Sequence, residues 1–334
     1  MKRLLILILT LNISFSTFLK AQQDYTEWLS IGVYMPSQYS TDLGSGQKQR
    51  LETKIISVIA RNGIGAKVSA FKITVDTSAS VSVDLLNLMA KGIVCIPKFE
   101  IYNERIADTG MKKLKVVDVD LTLTVQYIYE DVIFSDINVQ LQGSGSNRDQ
   151  ALNSAIRGIR TTDSKWKRFL ETTHREIIRY YDGMCGKLMD QAEHLNKLNL
   201  TSEALSILWP IPKEVSCHAE VEELSLRIYQ KHINQQCKRS ILNARALLAG
   251  NRYDEGLAVL ARIDPISDCY EDAVKMIESI EVELDENTEK NRSAFLTLQQ
   301  QQQQLEVEKY RYERMMEITA EKNKKQFAEV LSGF

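Results

Sequence analysis

Hydrophobic and polar residues alternate without a break over one segment in the first half of the chain, "VDVDLTLTVQY" at residues 117–127. A period of two residues predicts a β-strand with one buried face and one polar face. The alternation returns over residues 137–142, after the short segment "YED". The two segments are therefore predicted to pair as an antiparallel hairpin, with their polar sides on one face.

Elements on either side of this hairpin complete an α+β pattern. Apolar residues over 51–59 have helical spacing and are followed by an Asn-Gly pair, a typical helix stop. Residues 71–75 alternate, and "GIVCIPKFEIY" is rich in β-formers, with Pro97 indicating a strand end, an edge or a bulge. The sequence therefore predicts a two-layer antiparallel sheet with flanking helices over residues 22–160.

A glycine-rich segment, "GSGS" at residues 143–146, leads directly into a helix with alanines at Ala151 and Ala155. Ser146 and Asp149 have the spacing of a capping pair. Phosphate-binding loops also join a strand, a glycine-rich turn and a helix, but this segment fits neither a Walker motif nor a dinucleotide fingerprint. We expect a tight turn with a helix cap here, and anion binding is the alternative.

The second half of the chain has helical spacing and an internal repeat. Many residues from 185 to 224 resemble the residue 52 positions later. The clearest matches are Cys185 with Cys237, Ala192 with Ala244, Leu195 with Leu247, Leu205 with Leu257, Leu208 with Leu260 and Cys217 with Cys269. Self-similarity at a fixed period is typical of stacked helices. We therefore predict a solenoid-like α-helical repeat domain over residues 161–285.

Four of the five cysteines lie in this repeat, and helix geometry pairs them. At 1.5 Å per residue, the predicted short helix and loop bring Cys217 back level with Cys185, and Cys269 level with Cys237. Cys217 and Cys237 would instead lie about 30 Å apart on one helix, too far to bond. We predict disulfides Cys185–Cys217 and Cys237–Cys269, with free buried thiols or metal binding as alternatives. Cys95, in an apolar strand, is expected to be a buried thiol.

The predicted C-terminal helix, residues 286–334, is polar with a thin apolar stripe. Leu298, Leu305, Tyr312 and Met316, continued by Phe327, form that stripe, which is too sparse to predict a confident coiled coil. We expect these four residues to bind a partner, or weakly a second copy, because the stripe has no evident partner within its own domain. Removal of this helix is accordingly expected to leave stability nearly unchanged.

The first residues, "MKRLLILILTLNISFSTFLKAQQ", have the basic start, apolar run and small residue of a secretory signal, predicted over residues 1–21. The apolar run is short and interrupted by polar residues, so no transmembrane span is expected in the mature chain. The first cysteine is Cys95, and no cysteine near the cleavage region could accept a lipid. We therefore expect a soluble exported protein, periplasmic or secreted, in a compartment where disulfides persist.

The net charge and the positions of the histidines argue against some classes of function. A formal net charge of −2 provides no field for attracting nucleic acid. The histidines, which all lie in the helical half, are His174, His194, His218 and His232. The sheet domain therefore has no local Cys-His or Ser-His pair, and no catalytic residue, metal ligand or cofactor is predicted. Asp118 and Asp120 lie about 6 to 7 Å apart on one strand face, so an exported hydrolase using these carboxylates is the alternative function.

Two resemblances add to this interpretation. Over roughly residues 45 to 160, the helix ending in "NGI", the paired strands and "LQGSGSNRDQALNSAIRGI" resemble the periplasmic α/β domain of proteins related to the curli transport lipoprotein and the TolB N-terminal domain. The matching positions are Gly143, Gly145, Ala151 and Ala155. "LNLTSEALSIL" and "GNRYDEGLAVL" resemble the turn and second helix of tetratricopeptide-like repeats.

The first resemblance implies envelope assembly or scaffolding rather than catalysis. The curli lipoprotein's lipid-accepting cysteine and evident membrane-inserting hairpins are absent from this sequence, which argues against a secretion channel. We therefore expect a non-catalytic exported scaffold or interaction protein of the bacterial cell envelope. Its envelope protein partner would bind the sheet domain, the helical repeats or both.

Overall fold

A five-stranded sheet occupies the first half of the chain in the computed structural model, which describes residues 29–63, 68–72, 89, 91–279 and 307–333. The strands are β1 (Leu29–Val33), β2 (Val68–Lys72), β3 (Ile93–Asp108), β4 (Lys113–Tyr127) and β5 (Val132–Gly145). Helix α1 (Ser45–Asn62) precedes β2, and helix α2 (Arg148–Arg157) follows β5. The predicted signal peptide lies outside the described residues.

The sheet is mixed, which corrects the predicted antiparallel sheet. Its strand order is β2-β1-β3-β4-β5, and β1 is parallel to both β2 and β3. The remaining neighbours, β3 with β4 and β4 with β5, are antiparallel as predicted. Sequence patterning did not indicate β1, because "LSIGV" is only five residues long. The mixed α/β class is nevertheless confirmed.

One face of the sheet forms the main core beneath the helices. The β4 residues at odd positions are fully buried, namely Val117, Val119, Leu121, Leu123 and Val125. They pack in one continuous apolar cluster with residues of α1, of α2 and of the helices that follow. The predicted alternation therefore separates the core side of β4 from its opposite, more polar side.

After α2 come the next five described helices, and their ends recur with the predicted spacing. They are α3 (Ser164–Lys197), α4 (Thr201–Leu208), α5 (His218–Ala249), α6 (Tyr253–Leu260) and α7 (Tyr270–Glu278). A spacing of 52 residues separates the last residues of α3 and α5. The same spacing separates α4 from α6 at both the first and the last residue, and the first residue of α5 from that of α7. Asn199 and Asn251, also 52 residues apart, each have positive φ, at 62° and 58°. Asparagine tolerates this left-handed backbone better than most residues, so the same turn ends α3 and α5.

The sheet and the first helices share a single core. Trp166, Phe169 and Leu170 of α3 belong to the same apolar cluster as the β4 residues. The second copy of the repeat has a smaller cluster of its own, which includes Cys237 and Ile277. The predicted boundary near residue 160 therefore does not separate two hydrophobic cores.

The last described helix, α8 (Val307–Gly333), packs on the other face of the sheet. Its Met316, Ala320 and Phe327 form a buried cluster with Val94 and Ile96 of β3, among other residues. The helix also contacts α4. Helix α8 thus connects the sheet to the helical repeat.

None of the helices within the described ranges has the length and apolar character needed to cross a membrane.

Candidate interaction surfaces

The two predicted cysteine pairs lie at disulfide distance. The Cα atoms of Cys185 and Cys217 are 6.6 Å apart, and those of Cys237 and Cys269 are 6.2 Å apart, both within the range that a disulfide requires. In each pair the first cysteine lies within a long helix, and the second immediately precedes the next helix. A disulfide in each pair would therefore fix the start of one helix to the middle of the previous long helix.

Cys95 is a free, buried thiol, as the sequence predicted. Burial raises its pKa to about 12 because the thiolate would be desolvated. The thiolate is the reactive form of cysteine, so this side chain is chemically inert near neutral pH.

Residues of the predicted partner-binding stripe are covered by the chain itself. Met316 is only 4% exposed, and the Tyr312 ring lies 4.5 Å, centroid to centroid, from the Trp209 ring at the end of α4. Met316 is therefore too buried to present a surface to a partner or a second copy, contrary to the prediction, while Tyr312 is half-buried beside Trp209. Leu298 and Leu305 lie outside the described residues.

Polar contacts fix the position of α8 over the same region. Lys322 Nζ lies 2.9 Å from Glu203 Oε1 on α4, and Asn323 Nδ2 donates to the Met89 carbonyl oxygen (3.1 Å). The contact with Lys322 holds the pKa of Glu203 below its usual value. The sequence did not indicate this packing, because the partners of α8 lie more than 100 residues earlier in the chain.

Asp118, one of the two carboxylates considered for hydrolysis, is fully engaged in a hydrogen-bond network. Gln142 Nε2 donates to one carboxylate oxygen (2.6 Å), while Asn103 Nδ2 (2.8 Å) and Arg105 Nη1 donate to the other. The Gln142 hydrogen bond, with Asn103 and Arg105, holds the pKa of Asp118 below its usual value. Asp118 therefore remains ionised near neutral pH and is poorly suited to act as a general acid.

The buried histidine of α5, His232, is hydrogen-bonded within the helical repeat. Gln236 Nε2 donates to His232 Nε2 (2.8 Å), which leaves the proton on Nδ1 for donation to Thr201 Oγ1 (2.8 Å). Burial, the largest cause, lowers the pKa of His232 and favours this neutral form. Both ring nitrogens are occupied by partners within the helical repeat, so His232 joins α4 to α5 instead of acting as a base.

The "GSGS" segment is strand, and its glycines allow close packing. The strand β5 continues to Gly145, so the predicted turn at residues 143–146 is not observed. A Cβ atom at Gly143 would lie 2.0 Å from the Ala151 carbonyl oxygen and 2.4 Å from the Ala155 nitrogen. The helix backbone thus fills the space that an anion would need, and the matching Gly and Ala positions are explained by strand–helix contact.

The start of α2 also differs from the predicted capping pair. Asn147, not Ser146, is the N-cap, and its side chain accepts a hydrogen bond from the Gln150 backbone N–H. Ser146 instead donates through its hydroxyl to Gln150 Oε1 (2.7 Å). The cap therefore begins one residue later, because the strand continues through the glycines.

Replacement of Gly143 by alanine is expected to lower the free energy of unfolding by about 1 to 3 kcal/mol, because α2 must shift away from β5. The matched control is Gly183→Ala on α3, where the added Cβ atom meets no atom within 4 Å. That change is expected to raise the free energy of unfolding by up to about 1 kcal/mol, since alanine favours helices more than glycine. Urea denaturation of both variants measures the contrast, and equal stabilities would contradict the close contact.

The outer half of the β3–β4 hairpin is exposed, and we call residues 102–113 the β3–β4 arm. All of its residues are exposed except Ala107, which is half-buried. Three large apolar side chains are prominent, with Tyr102 56%, Ile106 68% and Met111 95% exposed. Sequence reasoning missed this surface, although apolar residues between charged ones in "YNERIADTGMKK" were a signal that could have revealed it.

The β3–β4 arm is an ordered structure anchored at its base. Glu104 Oε1 accepts from Arg148 Nε at the start of α2 (2.7 Å), and Glu104 Oε2 lies 2.9 Å from Lys115 Nζ. At the tip, the Thr109 N–H donates to the Lys112 carbonyl oxygen (3.1 Å) and the Gly110 N–H to Asp108 Oδ1 (2.8 Å). The apolar side chains are therefore presented on a regular hairpin.

No group of three or more His, Cys, Asp or Glu residues in the part of the chain that the structure describes could hold a metal ion. In comparisons with known proteins, no protein-family model matches the chain, and no curated protein matches it.

Proposed function

We propose that this protein is a non-catalytic exported scaffold of the bacterial cell envelope that binds a protein partner through the β3–β4 arm. The observation that carries the proposal is the exposure of Tyr102, Ile106 and Met111 on one ordered hairpin. Aromatic residues and methionine are enriched at protein interfaces, whereas large apolar side chains exposed together are uncommon on monomeric proteins.

The charges of the β3–β4 arm indicate the character of the partner. Lys112 and Lys113 adjoin Met111 and are exposed. A complementary partner would offer an apolar patch with an acidic rim, because charges around an interface select partners by complementary potential. Such a partner surface would cover the apolar side chains and leave the basic residues at the edge.

The disulfide-distance cysteine pairs support the exported location. Structural disulfides persist in oxidising compartments such as the periplasm and are rare in the cytosol. Both pairs lie in the repeated helices, where we interpret the 52-residue recurrence as a short solenoid-like, tetratricopeptide-like array. In this proposal the disulfide-linked helices support the sheet, and the sheet presents the β3–β4 arm.

Site-specific photocrosslinking in the producing cells tests the proposal. A photoreactive amino acid at Met111 is expected to yield one adduct of defined mass with an envelope protein, identified by mass spectrometry. The same amino acid at Lys238, exposed on α5, is the control and is expected to yield no such adduct.

A second variant separates binding from folding. Ile106→Asp places a charge on an exposed side chain and is expected to remove the Met111 adduct with a shift of the thermal midpoint of no more than about 1–2 °C. Absence of any adduct at Met111, or an equal yield at Lys238, would refute the proposal. Hydrolysis by the purified protein that is lost on Asp118→Asn would instead favour the alternative function, an exported hydrolase.

A further inference from the structure

The strand β5 forms one edge of the sheet along its whole 14-residue length. Its partner is β4, with register from Tyr127↔Val132 to Lys115↔Gly145. Backbone groups that point away from β4 have no backbone partner among the described residues. In a sheet, such a row of unpaired N–H and C=O groups is a template for another strand.

Protection against strand pairing is stronger along the part of β3 that lies beyond β1 than along most of the edge strand β5. Beyond Cys95, β3 has no β1 neighbour, and there it carries Pro97, Lys98 and a bulge at Tyr102. These are the devices by which proteins block unwanted strand pairing. Strand β5 has one bulge near its start, at Phe134, and one charged residue, Asp136, but from Ser135 to Gly145 it has no proline, no basic residue and no further bulge. The contrast indicates that the β5 edge remains open for a partner strand.

The sequence of β5 is complementary to itself in the antiparallel direction. If Val139 lies opposite Val139 of a second copy, Ile137 lies opposite Leu141 and Asn138 opposite Gln140. Asp136, the one charged residue of β5, then lies opposite the neutral Gln142. The central apolar residues Ile137, Val139 and Leu141 thus meet apolar residues, and no like charges meet across the interface.

Neighbouring registers match less well. Moving the centre to Asn138 places Leu141 opposite Ser135, and moving it to Gln140 places Ile137 opposite Gly143. A shift by a single pairing position would place apolar residues opposite polar ones. The register centred on Val139 is the one that aligns the apolar residues Ile137, Val139 and Leu141 fully.

We propose that a second copy of this chain pairs with the β5 edge in the antiparallel direction, centred on Val139, and extends the sheet across a two-fold axis. The contact is strand to strand and leaves the β3–β4 arm of each copy available. Because one pair of strands buries a small area, the dimer is weak and forms at high protein concentration.

Two double variants of the full chain test both the contact and its register. Asn138 and Gln140 are exposed, so charges there leave the core intact. Asn138→Lys with Gln140→Lys places lysine opposite lysine twice and is expected to weaken dimerisation at least about tenfold. Asn138→Glu with Gln140→Lys places glutamate opposite lysine twice and is expected to dimerise at least as tightly as the original chain.

Both variants carry the Gln140→Lys change, beside Asp120 of β4, and differ only at position 138, so they are matched for stability. In a register centred on residue 138 or on residue 140, two copies of the glutamate variant would repel each other, because each of these residues would then lie opposite the same residue of the other copy. Sedimentation equilibrium over a range of concentrations measures the dissociation constants, with circular dichroism as the folding control.

A monomeric original chain, equal dissociation constants for the two variants, or loss of the dimer in both would overturn the proposal. If a double variant does not fold, the isosteric pair Asn138→Asp with Gln140→Glu provides the test, because it places carboxylates opposite each other twice and is expected to weaken the dimer at least about tenfold relative to the original chain.

Discussion

Ending the chain after Ser279 is expected to lower the midpoint of thermal unfolding by roughly 10 °C. This truncation removes α8 and uncovers buried apolar residues on the second face of the sheet, including Val94, Ile96 and Ile128. Burial of a side chain of this size contributes about 1.5 to 3 kcal/mol, and partial rearrangement would offset some of the loss. The truncated chain is also expected to bind a hydrophobic dye that the full chain does not bind.

Point variants on α8 separate the effect of its packing on the sheet from the effect of shortening the chain. Phe327 is 6% exposed and packs in the cluster against the sheet. Its replacement by alanine is expected to lower the free energy of unfolding by about 3 kcal/mol. Lys324→Ala, at an exposed position on the same helix, is the control and is expected to change it by less than about 0.5 kcal/mol. Scanning calorimetry at matched concentration measures all three chains. An unchanged midpoint in the truncated chain would mean that α8 does not pack on the sheet in solution.

This expectation reverses the one drawn from the sequence, and the reason is physical. Periodicity describes which side of a helix is apolar, but not what covers it. The stripe of α8 is covered by Val94 and Ile96, which lie more than 200 residues earlier on β3. These residues lie in a strand that is apolar on both faces near its start, a pattern that periodicity alone does not connect to a distant helix.

Local features were predicted well because they depend on spacing within one or two elements. The alternation of β4 and its pairing with β5 follow from the two-residue period, and the cysteine pairs follow from the rise of a helix. Strand β1 and its parallel pairing were missed, since a parallel connection depends on a crossover through α1. Exposure of the β3–β4 arm was also missed, because it depends on where α2 begins relative to the hairpin.

Removal of the Cys185–Cys217 bond is expected to lower the free energy of unfolding by about 3 to 4 kcal/mol, as the chain-entropy account gives for a 32-residue loop. Cys185 lies in the main core together with α3 residues that pack on the sheet. The loss is therefore expected throughout the molecule, with sheet and helices unfolding together at a lower urea concentration. Cys→Ala at both positions is the suitable change, since Cys185 is buried and a serine hydroxyl there would lack a partner.

The Cys237–Cys269 bond closes a loop of the same length but is expected to act locally. Cys237 belongs to the separate cluster of the second copy, where α7 is attached through Ala273 and Ile277. Without this bond the short α7 has few apolar contacts to hold it, so its amides are expected to exchange with solvent faster while those of β4 remain protected.

Hydrogen exchange on the two cysteine-pair variants distinguishes these effects with a matched loop length. Protection of β4 should fall when Cys185 and Cys217 are replaced, and should persist when Cys237 and Cys269 are replaced. If β4 loses protection equally in both variants, the two clusters unfold as one unit. If both variants are as stable as the original chain, the bonds do not form in the protein, because loss of a formed bond must relax the restriction on the unfolded chain.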